Sequence, residues 1–259
     1  MPHLLQPRGD AALAAVMRRS PLLAFDFDGT IAPIVPRPQQ ARVSACVSGK
    51  LRRLAQRLPV AIVSGRSADD LAHRLGFEPH YIVGNHGAEL GPQDSGASAA
   101  ELDPVRELLR SRAAELRKAG VTVEDKGLSL ALHYRLAPLP LAALELIRAT
   151  LREVHPQCRT FAGKMVENVV PAGAPDKGRA VHVLVQHARV SCAVFFGDDL
   201  NDEPVFESAP DDWLTVRIGR DDRHSRAQFF LDHSAELGLV LERMLAHLDA
   251  AETALAHRA

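Results

Sequence analysis

Leu22-Leu23-Ala24-Phe25-Asp26-Phe27-Asp28-Gly29-Thr30 is an apolar run that ends in acid, turn and hydroxyl. A short apolar run closed by Asp28-Gly29 reads as a buried strand over 22–27 entering a turn. In open parallel sheets, ligands bind just beyond the carboxyl ends of the strands. An unpaired carboxylate inside a core is costly, so Asp26 and Asp28 are candidates for chemistry at a strand end. Asp28-Gly29 also suits a plain polar turn, and this stretch alone leaves both readings open.

Working outward, Val60 to Val63 repeats the pattern and closes at Ser64-Gly65-Arg66. Between the two runs, Val43, Val47, Leu51, Leu54 and Leu58 recur at helical spacing. A helix over Ala68–Leu75 and a strand over His80–Gly84 follow. Strand, helix, strand, helix, strand is the rhythm of a parallel sheet with helices on its faces. The rhythm stops at Gly91–Ser98, a loop by composition. Beyond it, a helix is expected over Pro104–Lys118, strands over Val121–Val123 and Leu128–Tyr134, and a helix over Leu139–Val154. Strands over Cys158–Phe161 and Met165–Val170 complete two helix-strand-strand units, a mixed layer unlike the first. After Pro171–Pro175 the parallel rhythm resumes with a helix over Lys177–His187, strands over Cys192–Phe196, Trp213–Ile218 and Phe229–Leu231, and a helix over Ser234–Leu248. The expected fold is therefore α/β: a Rossmann-like, doubly wound parallel core formed by residues 1–100 and 172–259, interrupted by an inserted α+β cap over 101–171.

The chain of 259 residues is long enough for such a core and a smaller module. A formal net charge of −1 gives no global basic field for nucleic acid or an anionic membrane. The three cysteines, Cys46, Cys158 and Cys192, are scattered and odd in number, which argues against a disulfide framework or a zinc site. The apolar stretch Ala11–Met17 runs into Arg18-Arg19, the reverse of a secretory leader's order. No run approaches the roughly 18 apolar residues of a membrane span. The expected compartment is the cytoplasm.

A second acidic strand end changes the weight of the first. Ala193-Val194-Phe195-Phe196 closes in Gly197-Asp198-Asp199, with Asp202 and Glu203 just after. If both strands are central, several carboxylates converge, and they repel unless a cation neutralises them. Oxygen-only ligands with room for water and phosphate suit Mg²⁺. Ser64-Gly65-Arg66 offers a hydroxyl and backbone N–H groups at a helix start, an anion site, although Ser64 alone fits a helix cap. Lys177 opens the next helix and alone fits a solvated surface.

The order Asp26-Phe27-Asp28-Gly29-Thr30, Ser64, Lys177, Gly197-Asp198-Asp199-Leu200-Asn201-Asp202 resembles the four motifs of the haloacid dehalogenase superfamily of phosphotransferases. Gly84-Asn85-His86-Gly87-Ala88-Glu89, Glu124-Asp125-Lys126-Gly127, Leu132-His133-Tyr134-Arg135 and Gly163-Lys164-Met165-Val166-Glu167 resemble the trehalose-6-phosphate phosphatases of that superfamily. Asn201 stands where that family usually has Thr, and the match is loose at Asn168. The resemblance implies a Mg²⁺-dependent hydrolysis of trehalose 6-phosphate, a step of trehalose biosynthesis. It implies Asp26 as nucleophile, Asp28 as acid and then base, and Ser64 and Lys177 on the phosphate oxygens. Asp26, Asp198 and the carbonyl of Asp28 would hold the metal, with Asp199 and Asp202 unranked beside them. Thr30, Gly65, Arg66, Asn85, His86, Lys126, His133, Arg135, Lys164 and Glu167 would meet the phosphosugar. For the cap residues among them, a solvated sheet face remains open: His133 and Arg135 share strand parity, whereas Lys164 and Glu167 do not. A phosphatase for sucrose phosphate or a glucosyl-phosphoglycerate, a sugar phosphomutase, a phospho-accepting receiver module and a non-catalytic sugar-binding protein are the alternatives. The expected partner is a small phosphosugar, with neither nucleic acid nor membrane; protein partners are not legible.

Overall fold

Every residue of β1 (Leu22–Phe25) is buried. Full burial on both faces is what a central parallel strand requires, and it explains the unbroken apolar run. In the computed structural model, which describes residues 1–90, 98–152, 158–220 and 224–256, β1 pairs in parallel with two neighbours. These are β2 (Val60–Val63) and β8 (Ala193–Gly197), likewise fully buried. The strands β3 (Tyr81–Val83), β9 (Leu214–Ile218) and β10 (Phe229–Leu231) complete a six-stranded sheet of order β10-β9-β8-β1-β2-β3.

The crossover β1 to β2, through α2 (Ala45–Ala55), runs one way along the sheet. The crossover β8 to β9, through α8 (Glu203–Ser208), runs the other way. Right-handed crossovers then place α2 and α8 on opposite faces. α1 (Pro7–Met17) and α9 (Leu237–Ala256) pack with α2's layer, and α7 (Lys177–His187) packs on α8 and β1. The winding reverses between β1 and β8, so the crevice beyond their carboxyl ends is the switch point of the sheet. α3 (Ala68–Ala72) follows β2.

A second sheet is inserted between β3 and α7. Its order is β4-β5-β7-β6, all antiparallel, from β4 (Thr122–Asp125), β5 (Leu130–His133), β6 (Cys158–Gly163) and β7 (Val166–Pro171). The helices α4 (Asp103–Ser111), α5 (Ala113–Lys118) and α6 (Pro140–Leu151) cover one face. They enclose a separate apolar core of Leu102, Val105, Leu109, Leu116, Leu130, Leu132, Ile147 and Val169 among others. This is the expected α/β fold with an inserted cap.

Several details differ from expectation. The helix expected over Pro104–Lys118 breaks at Arg112, which has φ −96° and ψ 5°. α1 and α8 were not expected; α1 buries Leu13, Val16 and Met17 after a proline in its first turn. The last helix begins at Leu237, after a 3-10 turn at Ser234–Glu236, and runs to Ala256. Most of the loop expected over Gly91–Ser98, and residues 153–154 at the end of the expected Leu139–Val154 helix, lie outside the described residues. Among the described residues no helix is long and apolar enough to cross a membrane.

Candidate active site

The parallel register brings the acidic ends together. Phe25 pairs with Phe196, so Asp26 lies beside Gly197, and its N–H donates to the carbonyl of Phe196 at 2.8 Å. Asp26, Asp198 and Asp202 converge with carboxylate oxygens within 4.8 Å of one another, and all three are buried. Asp176 caps α7 by accepting from the N–H of Arg179 at 2.8 Å, which fixes where the next residue, Lys177, begins the helix. Its Nζ donates to Asp26 Oδ1 and to Asp202 Oδ1, each at 2.7 Å. The other oxygen of Asp202 accepts from the N–H of Asp198 at 2.9 Å and of Asp199 at 3.0 Å. Asp202 therefore ties the lysine to the loop that carries Asp198.

Burial drives the electrostatics here. It pushes Asp26 well above the usual carboxylate range, against the pull of Lys177 and with the push of Asp202 and Asp198. It pushes Asp198 up to about 6, although Lys164 opposes this. Burial also works against the ammonium of Lys177, yet Asp202 and Asp26 outweigh it and hold that lysine above its ordinary value. Three buried acids beside one fully buried lysine form a site of excess negative charge made of oxygen ligands alone. That donor set fits a hard divalent cation such as Mg²⁺.

Gly29 is required at this point. It has φ +82°, and a Cβ there would stand 2.0 Å from Asp198 Oδ2. Asp28 does not join the cluster. Its carboxylate is 42% exposed and is gripped by Arg66. Ser64, one residue past β2 and buried, accepts from the N–H of Arg66 at 3.3 Å. The Oγ1 of Thr30 is buried with no partner among the described residues. A Cβ on Gly65 would lie 2.3 Å from Cε1 of His86, so glycine lets the imidazole close over the loop.

The cap meets the core at this same edge. Lys164 lies in the β6–β7 turn, next to Met165 at φ +65°. Its Nζ contacts Asp198, and its N–H donates to Asp199 Oδ2 at 3.1 Å. Lys126 Nζ donates to the carbonyl of Gly65 at 3.0 Å; burial pushes its pKa down. His86, at φ +60°, sets its ring edge-on to Phe161 of β6 with centroids 4.8 Å apart. Burial, then Lys126 and Lys177, push its pKa well below the usual range, so the ring is neutral at pH 7. Neither ring nitrogen has a hydrogen-bond partner among the described residues. His133 Nε2 lies 2.9 Å from Glu124 Oε2, a contact that lowers the Glu124 pKa although burial opposes it.

Four expected roles are not supported by these positions. Glu167 pairs across the sheet with Leu132, a residue of the helix-covered core, and so shares its face. There it meets Arg148 of α6 at 3.0 Å, on the side away from the crevice. The crevice-facing residue of β7 is its neighbour Asn168, paired with Phe161. Asn85 joins core to cap: its amide donates to Glu89 at 2.6 Å and to the carbonyl of Lys126 at 3.3 Å, and accepts from Ser129 at 2.5 Å. Arg66 is held by side chains of its own core. Asp199 stands outside the three-acid cluster, capping Leu200 at 2.8 Å and receiving Lys164 from the cap. Arg135 donates to the carbonyl of Lys164 at 3.1 Å, bracing the turn. Glu124 and Asn168 are site-edge residues absent from the expected set. Asn168 is the point of loose match, and Glu124 opens the motif Glu124-Asp125-Lys126-Gly127.

A parallel sheet with an inserted α+β cap is the fold of solved haloacid dehalogenase-like hydrolases. A solved member from B. subtilis shares the fold, with a TM-score of 0.59 at 17% identity, covering 86% of this chain and 98% of that one. Residues 24–235 match the trehalose-phosphatase family, and the chain belongs to that family. It is 34% identical over 256 residues to a trehalose-phosphate phosphatase of Mycolicibacterium paratuberculosis, an alignment covering 90% of this chain and 64% of that protein. The C-terminal domain of the C. albicans trehalose-6-phosphate phosphatase shares the fold, with a TM-score of 0.76 at 23% identity over 95% of this chain and 97% of that one.

Proposed function

We propose that this chain is a Mg²⁺-dependent phosphatase that hydrolyses trehalose 6-phosphate to trehalose and phosphate through an aspartyl-phosphate. The observation that carries this reading is the buried convergence of Asp26, Asp198 and Asp202 on Lys177 beneath the cap. Membership of the trehalose-phosphatase family supports trehalose 6-phosphate as the substrate. Asp26 and Asp198, with Asp202 behind them, would hold the cation, which when bound supplies positive charge against the phosphate and the acids.

Lys177 fixes Asp26 by one oxygen at 2.7 Å and leaves the other for attack. A bond forms from that oxygen to phosphorus as the bond from phosphorus to the sugar oxygen breaks. Asp28 gives its proton to the departing oxygen. Water then bonds to phosphorus, the Asp26–phosphorus bond breaks, and Asp28 takes the water's proton. Splitting the displacement suits a buried carboxylate that cannot diffuse away.

The crevice-facing side of the cap sheet presents Glu124, His133, Asn168 and Phe161. Lys126 and Lys164 stand at its edge. Polar groups on a rigid sheet suit a ligand with many hydroxyls and one phosphate. We place the cap at 101–171, between core segments 1–100 and 172–259, because Leu102 opens its apolar core and β7 ends at Pro171. Phosphate release measured over a panel of phosphosugars, with Mg²⁺ and with a chelator, tests the reading. Trehalose 6-phosphate should be the preferred substrate and turnover should stop without metal. Preference for sucrose phosphate or a glucosyl-phosphoglycerate would reassign the sugar, and metal-independent turnover would remove the mechanism.

A further inference from the structure

We propose that Arg66 is a positioning residue for Asp28: it holds that carboxylate in one orientation and takes no part in binding the substrate's phosphate. The inference rests on the reading of Asp28 as acid and base.

The guanidinium is already occupied. Its Nε donates to Asp28 Oδ2 at 2.6 Å and its Nη2 to Asp28 Oδ1 at 2.8 Å, a two-pronged fork. Nη2 also donates to the carbonyl of Pro38 at 2.8 Å, and Nη1 to Asp70 Oδ2 at 2.8 Å. These contacts occupy four of the about five N–H donors an arginine has. A phosphate gripped by two N–H groups would have to break one of them.

The fork itself is fixed. The guanidinium lies 5.2 Å from the centre of the Phe27 ring. Asp70 sits in the first turn of α3, where its N–H is capped by Ser67 at 3.3 Å. Its second oxygen accepts from Arg74 at 2.5 Å. A chain of alternating charge, Arg74, Asp70, Arg66, Asp28, thus runs from the helix to the mouth of the crevice. The Arg66 side chain is 11% exposed and that of Asp28 is 42% exposed, so the anchor is behind and the carboxylate in front. The Asp28 charge also reaches the cap lysine Lys126.

An aspartate this exposed would otherwise rotate about both side-chain torsions. Proton transfer needs the carboxyl within hydrogen-bond reach of the departing oxygen, and misplacement by an ångström costs about a hundredfold in rate. A carboxylate has about four lone-pair sites. The fork takes one on each oxygen and leaves one on each for the proton. In the first step that proton passes to the sugar oxygen as its bond to phosphorus breaks. In the second it returns from water as water's oxygen bonds to phosphorus. Arg66 keeps its own protons throughout.

The test compares Arg66→Met and Arg66→Lys with the parent protein on trehalose 6-phosphate and on an aryl phosphate whose leaving group needs no proton. The measured quantity is kcat/KM, which reports the step where the leaving group departs. Inorganic phosphate inhibition is measured alongside, with melting curves to confirm folding. Arg66→Met should lose about a hundredfold on trehalose 6-phosphate, at least tenfold more than on the aryl phosphate. Arg66→Lys should fall between, and the phosphate inhibition constant should stay within about twofold. Equal losses on both substrates would overturn the positioning role, and so would an inhibition constant that rises in step with the loss. Asp28→Asn on the same pair separates the layers. If it is selective and Arg66→Met is not, the Arg66 inference alone falls. If Asp28→Asn is itself unselective, the acid reading falls and takes the inference with it.

Discussion

The two sheets treat polar residues in opposite ways. In the parallel sheet, β1, β2 and β8 are buried at every position, and the polar groups sit just past the strand ends. There Lys177 is held by Asp26 and Asp202, and Asp202 by Lys177 and the N–H groups of Asp198 and Asp199. In the cap sheet the edge strand β4 is exposed along its length, and the polar contacts are mostly pairs such as Glu124 with His133 and Glu167 with Arg148. Burial makes the shared contacts at the parallel sheet obligatory. On the cap face, strand parity decides which side chains are presented to the crevice.

That contrast is broken most severely at Lys177. Lys177→Met leaves Asp26 and Asp202 buried without their counter-charge, and removing one partner of a buried pair costs about 3–5 kcal/mol. Chemical denaturation at pH 7 should show a loss of that order, and phosphate release should vanish. A stability change near zero would mean the core network is not obligatory.

In the cap the comparison is sharpened by neighbours on one strand. Asn168→Ala should raise the KM for trehalose 6-phosphate about tenfold, the loss of roughly one hydrogen bond, with little change for an aryl phosphate. Glu167→Ala should affect both substrates alike and cost about 0–1 kcal/mol of stability, because its partner Arg148 is 59% exposed. If the selectivity follows Glu167 instead, the assigned parity of β7 is wrong.

The smallest effect is a pH trend. Folding raises the Asp198 pKa to about 6, above the ~3.9 of an unfolded aspartate. The folded state then binds more protons than the unfolded one between those values, so this group's contribution to stability falls as pH rises through that window. In chelator, Asp198→Asn should therefore gain in melting temperature relative to the parent as pH goes from about 4 to above 6, and Mg²⁺ should restore the parent at the upper end. A difference that stays flat with pH would show that Asp198 is not strained in the metal-free protein.

The strands that carry the site were legible because buried parallel strands leave unbroken apolar runs that stop at acids, Ser64 or Gly197. The helix α1 is less so: its Ala-rich residues give little periodicity, and a short apolar stretch such as Ala11–Met17 carries no strong helix signal. The break at Arg112 is also silent, since Pro104–Lys118 is helix-favouring throughout. On β7, Val166, Val169 and Val170 place apolar residues on both faces, so alternation could not say whether Glu167 or Asn168 faced the crevice. The part played by Arg66 depends on a partner 38 residues away, and only the fold brings Asp28 to it.

Covalent capture on Asp26 tests the central claim most directly. The protein is mixed with trehalose 6-phosphate and Mg²⁺, quenched in acid within the first turnovers, and its peptides are mapped by mass spectrometry. One phosphoryl group should be found on the peptide that carries Asp26, labile to hydroxylamine, and Asp26→Asn should neither trap it nor release phosphate. Phosphate release by Asp26→Asn at near the parent rate, or a phosphoryl group on another residue, would contradict the account.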